Sequence, residues 1–158
     1  MPRIVEHPAF TVIGITARTS NAQETGGTGV IGARWGRFFQ EGLLAKIPNR
    51  SDSNIVAVYT DYESDARGDY TFLLGARVSL TDDPPGMEAR TIPAGQYCVF
   101  TSELGELSKV VPDTWAKVWR ATEETLGGRR SFVADFEIYD ERASDPRNGQ
   151  VDLYVGIS

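Results

Sequence analysis

Val58-Tyr59-Thr60-Asp61-Tyr62 has a counterpart in Phe136-Glu137-Ile138-Tyr139-Asp140, and the match between them decides the fold. Working outward, Leu73-Leu74-Gly75 sets against Tyr154-Val155-Gly156. Trp35, Phe38 and Phe39 set against Trp115, Val118 and Trp119. Residues 10–78 and 87–157 thus each read as strand, helix, strand, strand. Two copies of a half-domain meet across a pseudo-twofold axis, and the seam between them makes a cleft. The copies differ at one position of interest, Tyr59 in the first and Glu137 in the second.

The intervening segments fit that scheme. Residues 10–18 are rich in β-branched side chains and predict a strand. A polar, glycine-rich loop over 20–29 follows. Ile31, Trp35, Phe38, Phe39 and Leu43 then recur at helical spacing up to about Lys46, where Pro48-Asn49 stops the helix. Strands are predicted over 55–62 and 70–80, with a turn at 63–69 and the seam between copies at 81–86. A strand over 87–101 is interrupted by Pro93-Ala94-Gly95, which suggests an edge position or a bulge. The second helix is predicted from about 112 to 126, with Pro112 and Asp113 in its first turn and Gly127-Gly128 as its stop. Strands over 132–141 and 150–157 close the second copy. The expectation is an α+β fold of duplicated β-α-β-β halves, with a mostly antiparallel sheet, two helices on one face and a central cleft. One domain over 1–158 holds both repeats, about 10–80 and about 87–158.

Bulk properties narrow the function classes. The chain has 158 residues, 41% hydrophobic and 24% charged, enough to bury a core without staples. Its net charge of −6 lacks the basic stripe of a nucleic-acid binder, so no direct DNA binding is expected. There is no apolar signal core and no long apolar run, so no membrane span and a cytoplasmic address are expected. Cys98 is the only cysteine and sits in an apolar strand, where a buried inert thiol is expected. With one terminal histidine, His7, no serine triad assembles. Gly27-Thr28-Gly29-Val30-Ile31-Gly32 matches a dinucleotide fingerprint by letter only, because no strand directly precedes it and no parallel βαβ unit surrounds it. Asp61, Glu63, Asp65 and Asp69 lack the glycine and terminal glutamate of a calcium loop. No cofactor and no metal are expected.

Glu137 carries the main functional lead. Period-two alternation puts Val133, Asp135, Glu137 and Tyr139 on one face of their strand, and Phe132, Ala134, Phe136 and Ile138 on the other. A carboxylate in mid-strand needs a partner or suffers desolvation. Two readings follow. The Glu137 face floors the groove and meets a cationic or donor-bearing ligand, or it faces solvent with Glu137 paired to Lys or Arg. Trp35, Phe38, Tyr59, Trp115, Trp119, Tyr139 and Tyr154 fall where the copies should face each other. Some of them must be core. Aromatic walls around one carboxylate suit a lipophilic cation.

The same residues carry a family resemblance. Phe136-Glu137-Ile138-Tyr139-Asp140-Glu141, followed by Val151-Asp152-Leu153-Tyr154-Val155-Gly156-Ile157, resembles the C-terminal signature of the GyrI-like small-molecule-binding domain. Ile92-Pro93-Ala94-Gly95-Gln96-Tyr97-Cys98-Val99-Phe100 is similar to the strand opening that family's second half. Ile31-Gly32-Ala33-Arg34-Trp35 and Ile47-Pro48-Asn49-Arg50 fit its first half. The resemblance covers nearly the whole chain. It implies a ligand cleft at the pseudo-twofold, as in effector domains of AraC-type and MerR-type multidrug regulators and in stand-alone members. It also maps the family's ligand-binding glutamate onto Glu137 through the Phe-Glu-x-Tyr motif.

The resulting expectation is a stand-alone binding protein for amphipathic aromatic cations, with Glu137, Trp35, Phe38, Tyr59, Trp115, Trp119, Tyr139 and Tyr154 at the ligand. Two alternatives remain. In the first, Glu137 with Tyr139 or Tyr59 hydrolyses strained electrophiles such as cyclopropane-bearing alkylators, as some stand-alone relatives do. In the second, the chain is a protein-interaction inhibitor, so a protein partner or a homodimer stays open.

Overall fold

The computed structural model describes residues 2–158. Eight strands run in chain order as β1 (Arg3–His7), β2 (Phe10–Ser20), β3 (Ile55–Thr60), β4 (Asp69–Val78), β5 (Glu88–Ile92), β6 (Gly95–Thr101), β7 (Arg130–Tyr139) and β8 (Asp152–Ile157). The helices are α1 (Asn21–Thr25), α2 (Ile31–Gln40), α3 (Leu43–Lys46), α4 (Leu107–Arg120) and α5 (Glu123–Leu126), with a 3-10 turn at Glu141–Ala143. All strands pair antiparallel in one sheet of order β1-β6-β8-β7-β3-β4-β2-β5. The fold is α+β, as the sequence pattern predicts. Among the described residues no helix is long and apolar enough to cross a membrane.

Register places the duplication in space. At the centre of the sheet Val58 pairs with Phe136, Ala57 with Glu137 and Tyr59 with Asp135. The sequence match equates Val58 with Phe136 and Tyr59 with Glu137. A twofold axis between Val58 and Phe136 therefore exchanges the two flanking pairs. The next strands agree, since Val58 pairs with Leu73 on β4 while Phe136 pairs with Tyr154 on β8. In the β2–β4 pair Gly14 faces Gly75, and the two show how close the backbones come. A Cβ on Gly75 would lie 1.8 Å from the Ile13 carbonyl oxygen, and one on Gly14 would lie 2.0 Å from that of Leu74.

The edges of the sheet are exchanged between copies. The strand before β2 pairs with β6 of the second copy, and the strand before β6 pairs with β2 of the first. Only Pro8-Ala9 joins β1 to β2, and only Pro93-Ala94 joins β5 to β6. Two-residue links reach at most about 11 Å between flanking Cα atoms, so the two ends of the strand order must curl toward each other. Pro93 thus marks a crossing from one edge to the other rather than a bulge in one strand. The face inside the curl closes on itself: Val12, Val56, Val58, Leu73, Ile92, Tyr97, Ala134, Phe136 and Ile138 form one buried cluster.

The helices cover the opposite face. Phe38, Leu43 and Ile47 pack on Ile13, Ile15, Phe72 and Leu74, and Val118 and Leu126 pack on Cys98, Leu153 and Val155. Cys98 is wholly buried in this second core. Helical boundaries depart from the sequence pattern in four places. The stretch over 31–46 breaks into α2 and α3 because Gly42 takes the left-handed region at φ 59°. The polar stretch after β2 contains α1, capped by the Ser20 hydroxyl accepting from the Gln23 amide. Helix α4 starts at Leu107, so Pro112 stands inside it rather than in the first turn and leaves the Ser108 carbonyl without its helical partner. The helix predicted over 112–126 also breaks at the extended Ala121-Thr122 into α4 and α5, with Thr122 capping α5; its stop is as expected, with Gly127 left-handed at φ 78°.

Candidate functional site

The two helix groups pack on separate cores and leave the central strands open between them. Beside the twofold lies a cleft of about 1420 Å³, walled by Trp35 and Phe39 of α2 and Trp115 and Trp119 of α4. Its floor is Glu137, Tyr59 and Tyr139. Strand alternation puts Glu137 and Tyr139 on one face of β7, and the cross-strand register brings Tyr59 beside them.

Glu137 is 1% exposed. Its Oε2 accepts from the Tyr59 hydroxyl at 2.7 Å and from Trp115 Nε1 at 2.6 Å, and its Oε1 accepts from the Tyr139 hydroxyl at 2.5 Å. The two positions that break the repeat symmetry, Tyr59 and Glu137, are therefore bonded to each other. No Lys or Arg pairs with Glu137 among the described residues. Burial pushes its carboxyl above the usual range, and the hydrogen bonds from Tyr139, Trp115 and Tyr59 only partly offset that rise. Burial first, and then the Glu137 charge, holds the Tyr59 and Tyr139 phenols well above their usual range. Both hydroxyls therefore act as neutral donors. Chemically, the floor is one buried anion satisfied in hydrogen bonds but not in charge. The solvent-facing, Lys- or Arg-paired reading of Glu137 does not hold.

A second buried carboxylate stands two residues away. Asp135 is fully buried and accepts from Arg130 Nη2 at 2.6 Å, from the Gly156 amide at 2.8 Å and from the Tyr62 hydroxyl. Arg130 reaches back along its own strand because β7 is irregular between Arg130 and Asp135, with Phe132 in the left-handed region at φ 50°. That irregularity also breaks the predicted alternation, since the Phe132 ring meets Tyr62 and lies under the Arg130 guanidinium on the cleft side. Asp135 thus has its counter-charge in Arg130, whereas Glu137 has none among the described residues.

Of the residues predicted from sequence, Glu137, Trp35, Tyr59, Trp115, Trp119 and Tyr139 meet at the cleft. Trp35 packs on Tyr139 with ring centres 4.7 Å apart, and Trp115 packs on Tyr59 at 5.2 Å. Phe38 and Tyr154 lie elsewhere. Phe38 is 1% exposed in the core under α2, while its neighbour Phe39 turns to the cleft. Tyr154 is on the opposite face of the sheet, stacked on Phe136 at 4.6 Å. Its odd–even phase follows from pairing with Phe136, a register that sequence alone left open. Tyr62, Tyr70 and Arg130 also line the cleft and were not anticipated, because nothing in their local pattern marks them.

The model of the Cass2 family, integron-associated effector binding proteins, matches residues 3–157. YobU of Bacillus subtilis, a proposed transcriptional regulator protein, is 36% identical over 146 residues, covering 91% of this chain and 89% of its own. The transcriptional regulator BrlR of Pseudomonas aeruginosa is 29% identical over 158 residues. That match takes 98% of this chain but only 54% of BrlR, so the chain spans about half that regulator's length. An integron cassette protein from the mobile metagenome of Vibrio cholerae superposes with a TM-score of 0.77 at 27% identity, covering 99% of this chain and 95% of the other. SAV2435, solved bound to tetraphenylphosphonium, shares the fold with a TM-score of 0.80 at 16% identity, covering 100% and 94%.

Proposed function

We propose that this chain, which belongs to the Cass2 family of integron-associated effector binding proteins, holds one amphipathic aromatic cation in its cleft with Glu137 as the counter-charge. The observation that carries the reading is the state of Glu137: buried, bonded to three neutral donors, and paired with no cation among the described residues. A ligand cation would supply the missing charge, and the faces of Trp35, Trp115, Tyr59 and Tyr139 would supply dispersion and cation–π attraction. Tetraphenylphosphonium in SAV2435, a protein of the same fold, is a ligand of this class. The regulator names of YobU and BrlR support a sensing role in transcriptional control. A net charge of −6 favours ligand sensing over direct contact with DNA.

Titrating tetraphenylphosphonium into wild type and Glu137→Gln tests the reading, with uncharged triphenylphosphine oxide as control. A cation about 5 Å from the carboxylate, at an effective dielectric of about 20, gains about 3 kcal/mol, or about 100-fold in affinity. The substitution should remove most of that for the phosphonium and little for the oxide. Equal phosphonium affinity in both proteins would overturn the role of Glu137.

A further inference from the structure

The cleft floor has used up its donors. Tyr59, Trp115 and Tyr139 each spend their single N–H or O–H on Glu137, and Tyr62 spends its hydroxyl on Asp135. Two residues on the wall that leads away from this floor have not. Tyr70 is 3% exposed and lines the cleft, yet its hydroxyl bonds to no described residue. Arg130 spends only Nη2 on Asp135, and its Nε is buried with no partner among the described residues.

These two residues belong to one wall. Tyr70 lies between Tyr59 and Tyr62, with ring centres 5.6 Å and 5.7 Å away. Tyr62 continues to Phe132 at 5.5 Å, and the Arg130 guanidinium sits 4.3 Å over that ring. The wall thus runs from the Glu137 floor to Arg130 and ends in unspent donors. We propose that Tyr70 and Arg130 form a second subsite, which takes an uncharged hydrogen-bond acceptor, a carbonyl or ether oxygen, carried by the same ligand that places its positive charge at Glu137.

The chemistry selects a neutral acceptor over an anion. Glu24 and Glu137 both act on Tyr70, and burial with their negative charge keeps its phenol protonated as a donor. A ligand carboxylate there would meet that same negative potential. Arg130, whose charge Asp135 already balances, adds a donor without adding net positive charge to the wall. The Tyr70 hydroxyl opens on the cleft with no acceptor among the described residues, so a ligand that supplies one is preferred over an equally shaped ligand that does not.

The inference rests on the cation reading above, and the test separates the two. The probes are (4-benzoylbenzyl)trimethylammonium and (4-benzylbenzyl)trimethylammonium, which share one permanent charge and differ by a ketone oxygen against a methylene. Wild type should bind the ketone about tenfold more tightly, equivalent to about 1.4 kcal/mol. Tyr70→Phe should bring that ratio close to one, and Glu137→Gln should weaken both probes while keeping the preference. Equal affinity of wild type for the two probes would overturn the subsite and leave the cation reading standing. So would a preference that survives Tyr70→Phe. Failure of both probes to bind would overturn the cation reading, and the subsite with it.

Discussion

Acid should weaken cation binding through a single group. Burial raises the Glu137 carboxyl above its ordinary value of 4.5, and its three donors offset only part of the rise. Once protonated, it no longer offers a counter-charge. Below its pKa in the empty cleft, a proton must leave as the cation enters, so affinity should fall tenfold, about 1.4 kcal/mol, for each pH unit of acidification. Above that pKa affinity should be flat. The effect on stability has the opposite sign. A raised folded-state pKa means that Glu137's contribution is fully present below its unfolded pKa and is lost as pH rises through the folded value. Above that folded value the empty protein therefore bears the cost of the buried charge, and a bound cation relieves it. The groups facing Glu137 are Tyr59 from β3, Tyr70 from β4, Trp115 from α4, and Tyr139 and the Arg130-paired Asp135 from β7. The three phenols are held too high to titrate in the same window. Tetraphenylphosphonium suits the assay because its own charge does not change with pH. Calorimetric titration from about pH 4 to pH 8, in buffers of different ionisation heat, reads both affinity and protons released. Wild type should release up to one proton per ligand at the acid end, and Glu137→Gln none. A flat wild-type profile, or an acid slope that persists in Glu137→Gln, would refute the reasoning.

Asp135→Ala should be much more damaging to the fold than Glu137→Gln, because it strands Arg130 beside an empty pocket. Urea unfolding should show a loss of about 3–5 kcal/mol, the cost of breaking one side of a buried ion pair. Phe38→Ala and Phe39→Ala should separate core from cleft. The first should cost about 3–5 kcal/mol in the same assay, while the second should change stability by less than about 1 kcal/mol and lower phosphonium affinity instead.

The duplication was legible because its two copies keep the same residues in mid-strand and mid-helix. Val58 against Phe136 is both the sequence match and the pair on the axis. Glu137 was legible as a candidate because a mid-strand carboxylate needs a partner, but whether that partner was a ligand or a surface Lys or Arg depended on which face of β7 is covered. The neighbours were harder to assign. Phe38 and Phe39 are adjacent aromatics on one helix, and only the docking angle of α2 decides which is core. Tyr154 carries the right chemistry, but a one-residue phase puts it on the wrong face. Tyr70 and Arg130 reach the cleft through cross-strand register and a strand irregularity, both products of pairing between distant segments. The break at Pro93 was visible, yet its meaning depended on which edge each flanking strand joins.

The exchanged edge strands have a consequence for the order of assembly. As the chain leaves the ribosome, β2, β3 and β4 can pair as soon as Val78 has been made. Strand β1 cannot join them, since its register partner for Arg3 is Val99. The outer edge of β2 likewise stays open until Glu88–Ile92 arrives. A nascent first copy therefore carries a dangling N-terminal strand and an unprotected edge, the kind of surface that seeks another chain. Neither copy is a self-sufficient folding unit, and the cleft is completed late, after Glu137 has been synthesised and paired against Ala57.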